Sequence, residues 1–301
     1  MVRRIGKVLL WVALLALVLL TVQVARNWDT IQRVFLGGVK VFESTPPALP
    51  ANLPRPAILV FSKTNAFRHE QAIPAANALF AGFARDNGWG YFETENGATF
   101  DPKLLAGFDA VVFNNVSGDV FTPAQRDALK GFIQGGGGFI GIHAAGDNSH
   151  EVWPWYLDNV IGTTFIGHPM KPQFQQATVR VEDAGHPAMR GLPPEWQRTD
   201  EWYSFDKSPR GGNTHVLATL DERTYNPEGP MGQDLRMGRD HPIVWWRCIG
   251  RGPVLYSALG HTAESYAEPA YRALLLGALR WSLGLEGAAC GRAAAAQEKA
   301  E

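Results

Sequence analysis

Gly135-Gly136-Gly137-Gly138-Phe139-Ile140-Gly141-Ile142-His143-Ala144-Ala145-Gly146 is the stretch on which the reading of this 301-residue chain turns. Four glycines stop a helical run, and Phe139 to Ile142 is an apolar segment of strand length. Small residues on both sides of His143 then let the strand bend sharply and lift one side chain, which is the shape of a nucleophile elbow. The lifted residue is a histidine, which can serve as base, acid or metal ligand at neutral pH. The glycine run precedes a strand instead of following one, so it is a tight turn and not a dinucleotide fingerprint.

Outward from this stretch the pattern alternates between strands and helices. Ala57–Phe61, Gly90–Glu93, Ala110–Phe113 and Pro253–Ser257 read as further buried strands. Ile73–Asn87 and Pro269–Leu283 have helical spacing and stop at Gly88 and Gly284. Thr122-Pro123-Ala124-Gln125 opens a third helix as a capping box with proline in the first turn. Uninterrupted apolar strands separated by helices predict an α/β sandwich with a mostly parallel sheet covered on both faces. Shorter pieces at 178–181, 216–220 and 243–247 are expected to extend that sheet with some antiparallel pairing. Asp200 to Ser204 reads as following an irregular segment.

Ligands bind such sheets beyond the carboxyl ends of the strands. Polar groups are delivered there by Lys63 to Glu70, by His143 to Asp147, by Asp200 to Ser204 and by Gly260 to Glu264. Phe67-Arg68-His69, the Gly135–Gly146 run, Asp200-Glu201-Trp202-Tyr203 and Leu259-Gly260-His261 occur in that order. Together they resemble the trehalose-utilisation, ThuA-like family over about residues 57–284. The resemblance implies a flavodoxin-like three-layer sandwich of the class I glutamine amidotransferase-like superfamily, and a role in handling trehalose or related sugars, including keto forms. His143 stands where the amidotransferases have their nucleophilic cysteine. His261 lies near their late histidine, with Glu264 three residues on instead of two. Glutamine amidotransferase activity is therefore not expected.

The residues themselves nominate His143, His69, His261 and Glu201 as catalytic. Glu201, beside Trp202 and Tyr203, is expected to be desolvated and raised towards the range of a general acid. Arg68, Asp200, Trp202, Tyr203, His168, Asp147 and Glu264 are nominated for substrate binding. His69, His143 and His261 with a carboxylate could also hold zinc or a similar divalent ion, although no HxH or HExxH spacing marks such a site. His150, His186, His215 and His241 read as surface or turn residues. The aromatics at Trp153, Trp155, Tyr156, Trp202, Tyr203 and Phe205 suit either core packing or stacking on a sugar ring. Two functions compete: a sugar or keto-sugar isomerase, lyase or hydrolase, and a non-catalytic, membrane-tethered sugar-binding module.

The ends of the chain differ from the middle. Val8 to Val24 carries no charge and follows Arg3, Arg4 and Lys7, which predicts an uncleaved membrane anchor over residues 1–27 with the N-terminus in the cytoplasm and the rest in the periplasm or outside the cell. A cleaved signal peptide is the competing reading. Residues 28–56, with Pro46, Pro47, Pro50, Pro54 and Pro56, read as a semi-extended linker that spaces the domain from the membrane. The folded domain is expected over 57–284 and a disordered tail over 285–301. Cys248 and Cys290 are expected to stay unpaired. A net charge of -1 gives no electrostatic ground for nucleic-acid binding, so the expected partners are the membrane and a small carbohydrate. Nothing in the sequence sets the oligomeric state.

Overall fold

The computed structural model describes residues 2–287 and 290. Eleven strands form in chain order: β1 (Ala57–Phe61), β2 (Gly90–Thr94), β3 (Ala110–Asn114), β4 (Gly138–Ile142), β5 (Phe165–Gly167), β6 (Phe174–Val181), β7 (Glu195–Glu201), β8 (Ser204–Phe205), β9 (Thr214–Asp221), β10 (Pro242–Ile249) and β11 (Gly252–Ser257). Nine of them make one sheet in the order β2-β1-β3-β4-β11-β10-β9-β6-β7, and β5 and β8 pair separately. The pairings from β2 to β11 are parallel, and those from β11 to β7 are antiparallel. Because only β10 and β6 run backwards, β1, β4, β11 and β7 all end at the same rim. The chain is thus an α/β protein with a mixed, mostly parallel central sheet.

Both faces of the sheet are covered, as buried apolar strands require. Neighbouring residues of a strand point to opposite faces, and β3 shows what each face meets. Asn114 donates to Ile73 O, in the helix Ala72–Asn87, at 3.0 Å. Phe113 turns the other way into a cluster with Phe61, Phe121, Phe139 and Tyr156. The helix Pro123–Gln134 opens with the expected capping box, Thr122 accepting from Gln125 N and the Gln125 side chain accepting from Thr122 N.

Three expectations are corrected. Residues 195–201 are not irregular: they form the edge strand β7, whose alternate residues Trp196, Arg198 and Asp200 are buried. Cys248 and Cys290 form a disulfide, which ties the start of the supposed tail to β10, while residues 288, 289 and 291–301 of that tail lie outside the described residues. The stretch 28–56 does not stand clear of the domain. Lys63, buried at the end of β1, needs partners for its charge, and its Nζ donates to Val41 O at 2.6 Å and pairs with Glu43. Glu43 accepts from Gly97 N, Gln125 donates to Glu43 O, and Val39 N donates to Asn65 O. The segment is a strap laid over the strand ends.

Among the described residues, one helix, Ile5–Arg26 within Val2–Arg26, is long and apolar enough to cross a membrane, and none of it is buried. A short helix, Trp28–Phe35, follows.

His186 is a buried residue, not a surface one. It packs against Trp246 and Trp281, its Nδ1 accepts from Ala188 N, and its Nε2 is buried without a hydrogen-bond partner among the described residues. That burial pushes the ring down to about 4. Above pH ~6.5 the ring is neutral in both folded and unfolded chains and costs nothing. Between pH ~6.5 and 4 only the unfolded chain takes up the proton, so stability falls with falling pH, by up to about 3 kcal/mol. His186→Asn, which keeps a capping acceptor, should flatten this fall. Urea midpoints at pH 7 and 4.5 check it, and an equal loss in both proteins would refute the assignment.

Candidate metal centre

Four side chains, one from each of four motifs, meet at the rim. Ligand-type atoms of His69, His143, Glu201 and His261 all lie within 4.8 Å of one another. His143 leaves β4 with a left-handed φ of 50° and is fully buried. Its carbonyl accepts from Tyr256 Oη at 2.8 Å, and a Cβ at Gly146 would lie 2.3 Å from that tyrosine ring. The turn after β4 therefore needs glycine at 146. His69 sits past β1 with its ring 4.8 Å from His143 and 4.4 Å from His261. Glu201 is the last residue of β7. That strand lies four places from β11 in the sheet, and shifts of register between β9 and β10 add the local bend and twist typical of a bulge.

The contact that fixes Glu201 is made by its neighbour. Asp200 is buried and accepts from Gly260 N at 2.8 Å, His261 N at 3.2 Å and Glu201 N at 2.9 Å. Arg198, also buried, donates to the same carboxylate at 3.0 Å and to Ser265 Oγ. Asp200 is thus a clamp joining the end of β7 to the turn that carries His261.

The hydrogen-bond arithmetic of His143 defines the chemistry. Its Nδ1 lies 2.8 Å from the carbonyl of Ala258, and a carbonyl only accepts, so Nδ1 bears the proton. In the neutral ring Nε2 then offers a lone pair. It faces Glu201 Oε2 at 3.3 Å and His261 Nδ1 at 3.0 Å, and His261 Nδ1 is 3.0 Å from the same carboxylate oxygen. Donor atoms around a tetrahedral ion with bonds of about 2.0–2.1 Å stand roughly 3.3–3.4 Å apart. His69 Nδ1 is buried with no hydrogen-bond partner. A backbone carbonyl holding the far nitrogen of a ligating imidazole is the usual support of a metal-bound histidine. The residues present fit a divalent ion.

Glu201 and His69 hold the charge states that arrangement needs. Burial alone would raise the Glu201 carboxyl, but hydrogen bonds and charge from His143 and His261 outweigh it and hold the group far below the usual range. The expected general acid is therefore a fixed carboxylate. Burial lowers the His143 ring, and the adjoining Glu201 more than offsets this and raises it. Burial pushes His69 well down, helped by His143 and His261, so it is a neutral imidazole.

The other nominated residues fall into two groups. His168 Nδ1 lies 3.2 Å from Glu201 Oε1, and Tyr203 packs its ring 4.1 Å from that of His143. Arg68 borders the site but pairs with Glu95 and Glu70. Trp202 is wholly buried and donates to Gln175 O, so it packs in the core and presents no face to a ligand. Tyr156 and Phe205 are likewise buried. Asp147 holds the turn at Ser149, its carboxyl raised by burial. Glu264 is exposed at the start of the turn Glu264–Ala267. Asp200 positions the site from behind instead of facing a substrate. His150 and His241 are buried and hydrogen-bonded to backbone carbonyls, whereas His215 is exposed and stacks on Trp246.

Two residues were not legible beforehand. Gln173 donates to the second oxygen of Glu201 at 2.5 Å, and Phe174 sets its ring 4.9 Å from His261. Gln173 lies in a polar loop without any motif, and Phe174 opens β6 directly after it. The adjoining Lys171-Pro172 pair marks only a turn.

Comparison with known proteins agrees with the fold. A putative ThuA-like protein from Bacteroides uniformis superposes with a TM-score of 0.65 at 27% identity, over 79% of this chain and 95% of that one. A second, from Parabacteroides merdae, gives 0.56 at 19% identity, over 75% and 89%. A glutamine amidotransferase from Thermotoga maritima reaches 0.43 at 12% identity over 75% and 97%, too distant to carry an argument. No functionally curated protein matches the chain at a significant level. The family profile for ThuA, described as trehalose utilisation, matches residues 57–282. With that span taking in the whole sheet and all four residues of the quartet, the chain belongs to the ThuA family.

Proposed function

We propose that this protein is a metal-dependent enzyme of carbohydrate chemistry, acting on a trehalose-related sugar or a keto-sugar. The observation that carries the reading is the convergence of His143 Nε2, His261 Nδ1 and Glu201 Oε2 at 3.0–3.3 Å, with the other nitrogen of His143 already committed to a carbonyl. Imidazole-rich sites of this kind suit zinc and its first-row neighbours. When bound, such an ion polarises a sugar oxygen or activates water. His69, His143 and His261 would supply neutral nitrogens and Glu201 a carboxylate. His168, one-quarter exposed and outside the quartet, is placed to carry a proton between Glu201 and a bound sugar. Isomerisation, elimination and hydrolysis all need such a group. The sugar assignment rests on the family description and on Phe67 and Phe174 flanking a polar centre.

The apolar N-terminal helix, preceded by basic residues, supports an anchor that leaves the domain outside the cytoplasm. The Cys248–Cys290 disulfide favours the same, oxidising side. The test uses the full chain purified in mild detergent. Elemental analysis should find about one divalent ion per chain, and NMR should show conversion of a trehalose-derived or keto-sugar substrate that stops on chelation. A chain that neither carries nor takes up an ion overturns the metal reading. Saturable sugar binding without any product would favour the binding module instead.

A further inference from the structure

The opening of the quartet is lined by apolar side chains that packing leaves bare. Phe67 is 46% exposed and Phe174 41%, yet their rings stand 4.9 Å from His69 and His261 respectively. Met170, in the loop that leads into β6 at Phe174, is 45% exposed. Single exposed apolar residues are ordinary on any protein, but Phe67 and Phe174 both stand against members of the quartet.

The element beside them is the short helix that follows the apolar N-terminal one. Arg33 of Trp28–Phe35 donates to Thr64 O at 2.6 Å, and Val39 N donates to Asn65 O. Thr30, Arg33 and Val34 share a cleft of ≈ 370 Å³ with Phe67 and Arg68. Only Asn27 separates this helix from the apolar one, which leaves the domain little chain with which to swing away. Trp28, Phe35 and Leu36 are exposed, as are Val41 and Phe42 of the strap. Lys40 and Lys171 are exposed too, and cations at this level suit anionic lipid headgroups.

We propose that the opening of the quartet faces the bilayer. Phe67, Met170, Phe174 and the juxtamembrane helix rest in the lipid interface, where aromatic and apolar side chains flanked by cations are at home. The substrate then comes to the quartet as the sugar headgroup of a membrane-held amphiphile. This last clause rests on the carbohydrate reading above; the placement against lipid rests on the anchor reading and on these contacts.

Photo-crosslinking from a benzophenone side chain tests the placement, using the full chain in nanodiscs of phosphatidylcholine and phosphatidylglycerol. The group is introduced at position 67 or 174, at Phe132 as a control beside Gly137 at the opposite, amino end of the strands, and at Val22 as a positive control. Lipid adducts at 67 and 174 should exceed those at 132 by about an order of magnitude. Adducts at 22 with none at 67 or 174, or equal adducts at 132, would overturn the proposal. The metal content of the same samples separates the two ideas. An ion without lipid adducts defeats only this inference, and adducts without an ion defeat only the metal centre.

Discussion

His143→Ala should leave the chain folded and abolish the divalent-ion binding proposed for the quartet. The ring touches two of the other three quartet residues through Nε2, so its removal takes away the central donor and leaves Glu201 and His261 to share one hydrogen bond. Loss of a mere supporting partner typically weakens metal binding 10–100-fold, so loss of a ligand should raise the dissociation constant for zinc by at least about 100-fold. The metal content of the purified protein should drop from about one ion per chain to background. His215→Ala, at an exposed ring stacked on Trp246, should change nothing. Elemental analysis and zinc titration of both variants, beside circular dichroism to confirm folding, decide the matter. Undiminished metal in the alanine variant would mean that the ion, if bound, lies elsewhere.

Asp200→Ala should be the most damaging change in the domain outside the apolar core. It leaves Arg198 facing a lost partner and frees the amides of Glu201, Gly260 and His261. Removing one member of a buried ion pair costs about 3–5 kcal/mol, because the other charge stays buried. Glu268, 3.3 Å from Arg198, softens the loss towards the lower figure. Asp200→Asn, which keeps one acceptor, should fold and still loosen the turn holding His261. The expected result is a fall in urea midpoint for both variants, with zinc affinity reduced in the asparagine variant although Asp200 touches no ion. A destabilised asparagine variant with unchanged zinc affinity would show that the clamp is structural only.

How much of this could be read from the residues depended on how far the partners lie along the chain. Ala57–Phe61, Ala110–Phe113 and Phe139–Ile142 were legible because each is an apolar run that the sheet buries on both faces. Glu195–Glu201 was not, because its inward residues include Arg198 and Asp200, whose burial makes sense only once each is known to face the other. The elbow revealed His143, and position after a strand revealed His69 and His261. Glu201 was found for its aromatic neighbours, yet its ionisation came out reversed. Trp202 packs in the core, while the charge state is set by two histidines 58 and 60 residues away in the chain. Nothing local to Cys248 announced Cys290, since the docked helix Pro269–Ser282 between them is what returns the chain to β10.

The left-handed backbone of His143 sets the needs of fold and chemistry against each other. An imidazole-bearing residue held at that φ gives up roughly 1–3 kcal/mol that glycine would recover. Glycine would also leave the buried Ala258 carbonyl and Glu201 carboxylate without the ring that partners them, so a search for stability alone is drawn to this position by its backbone and turned back by its side chain.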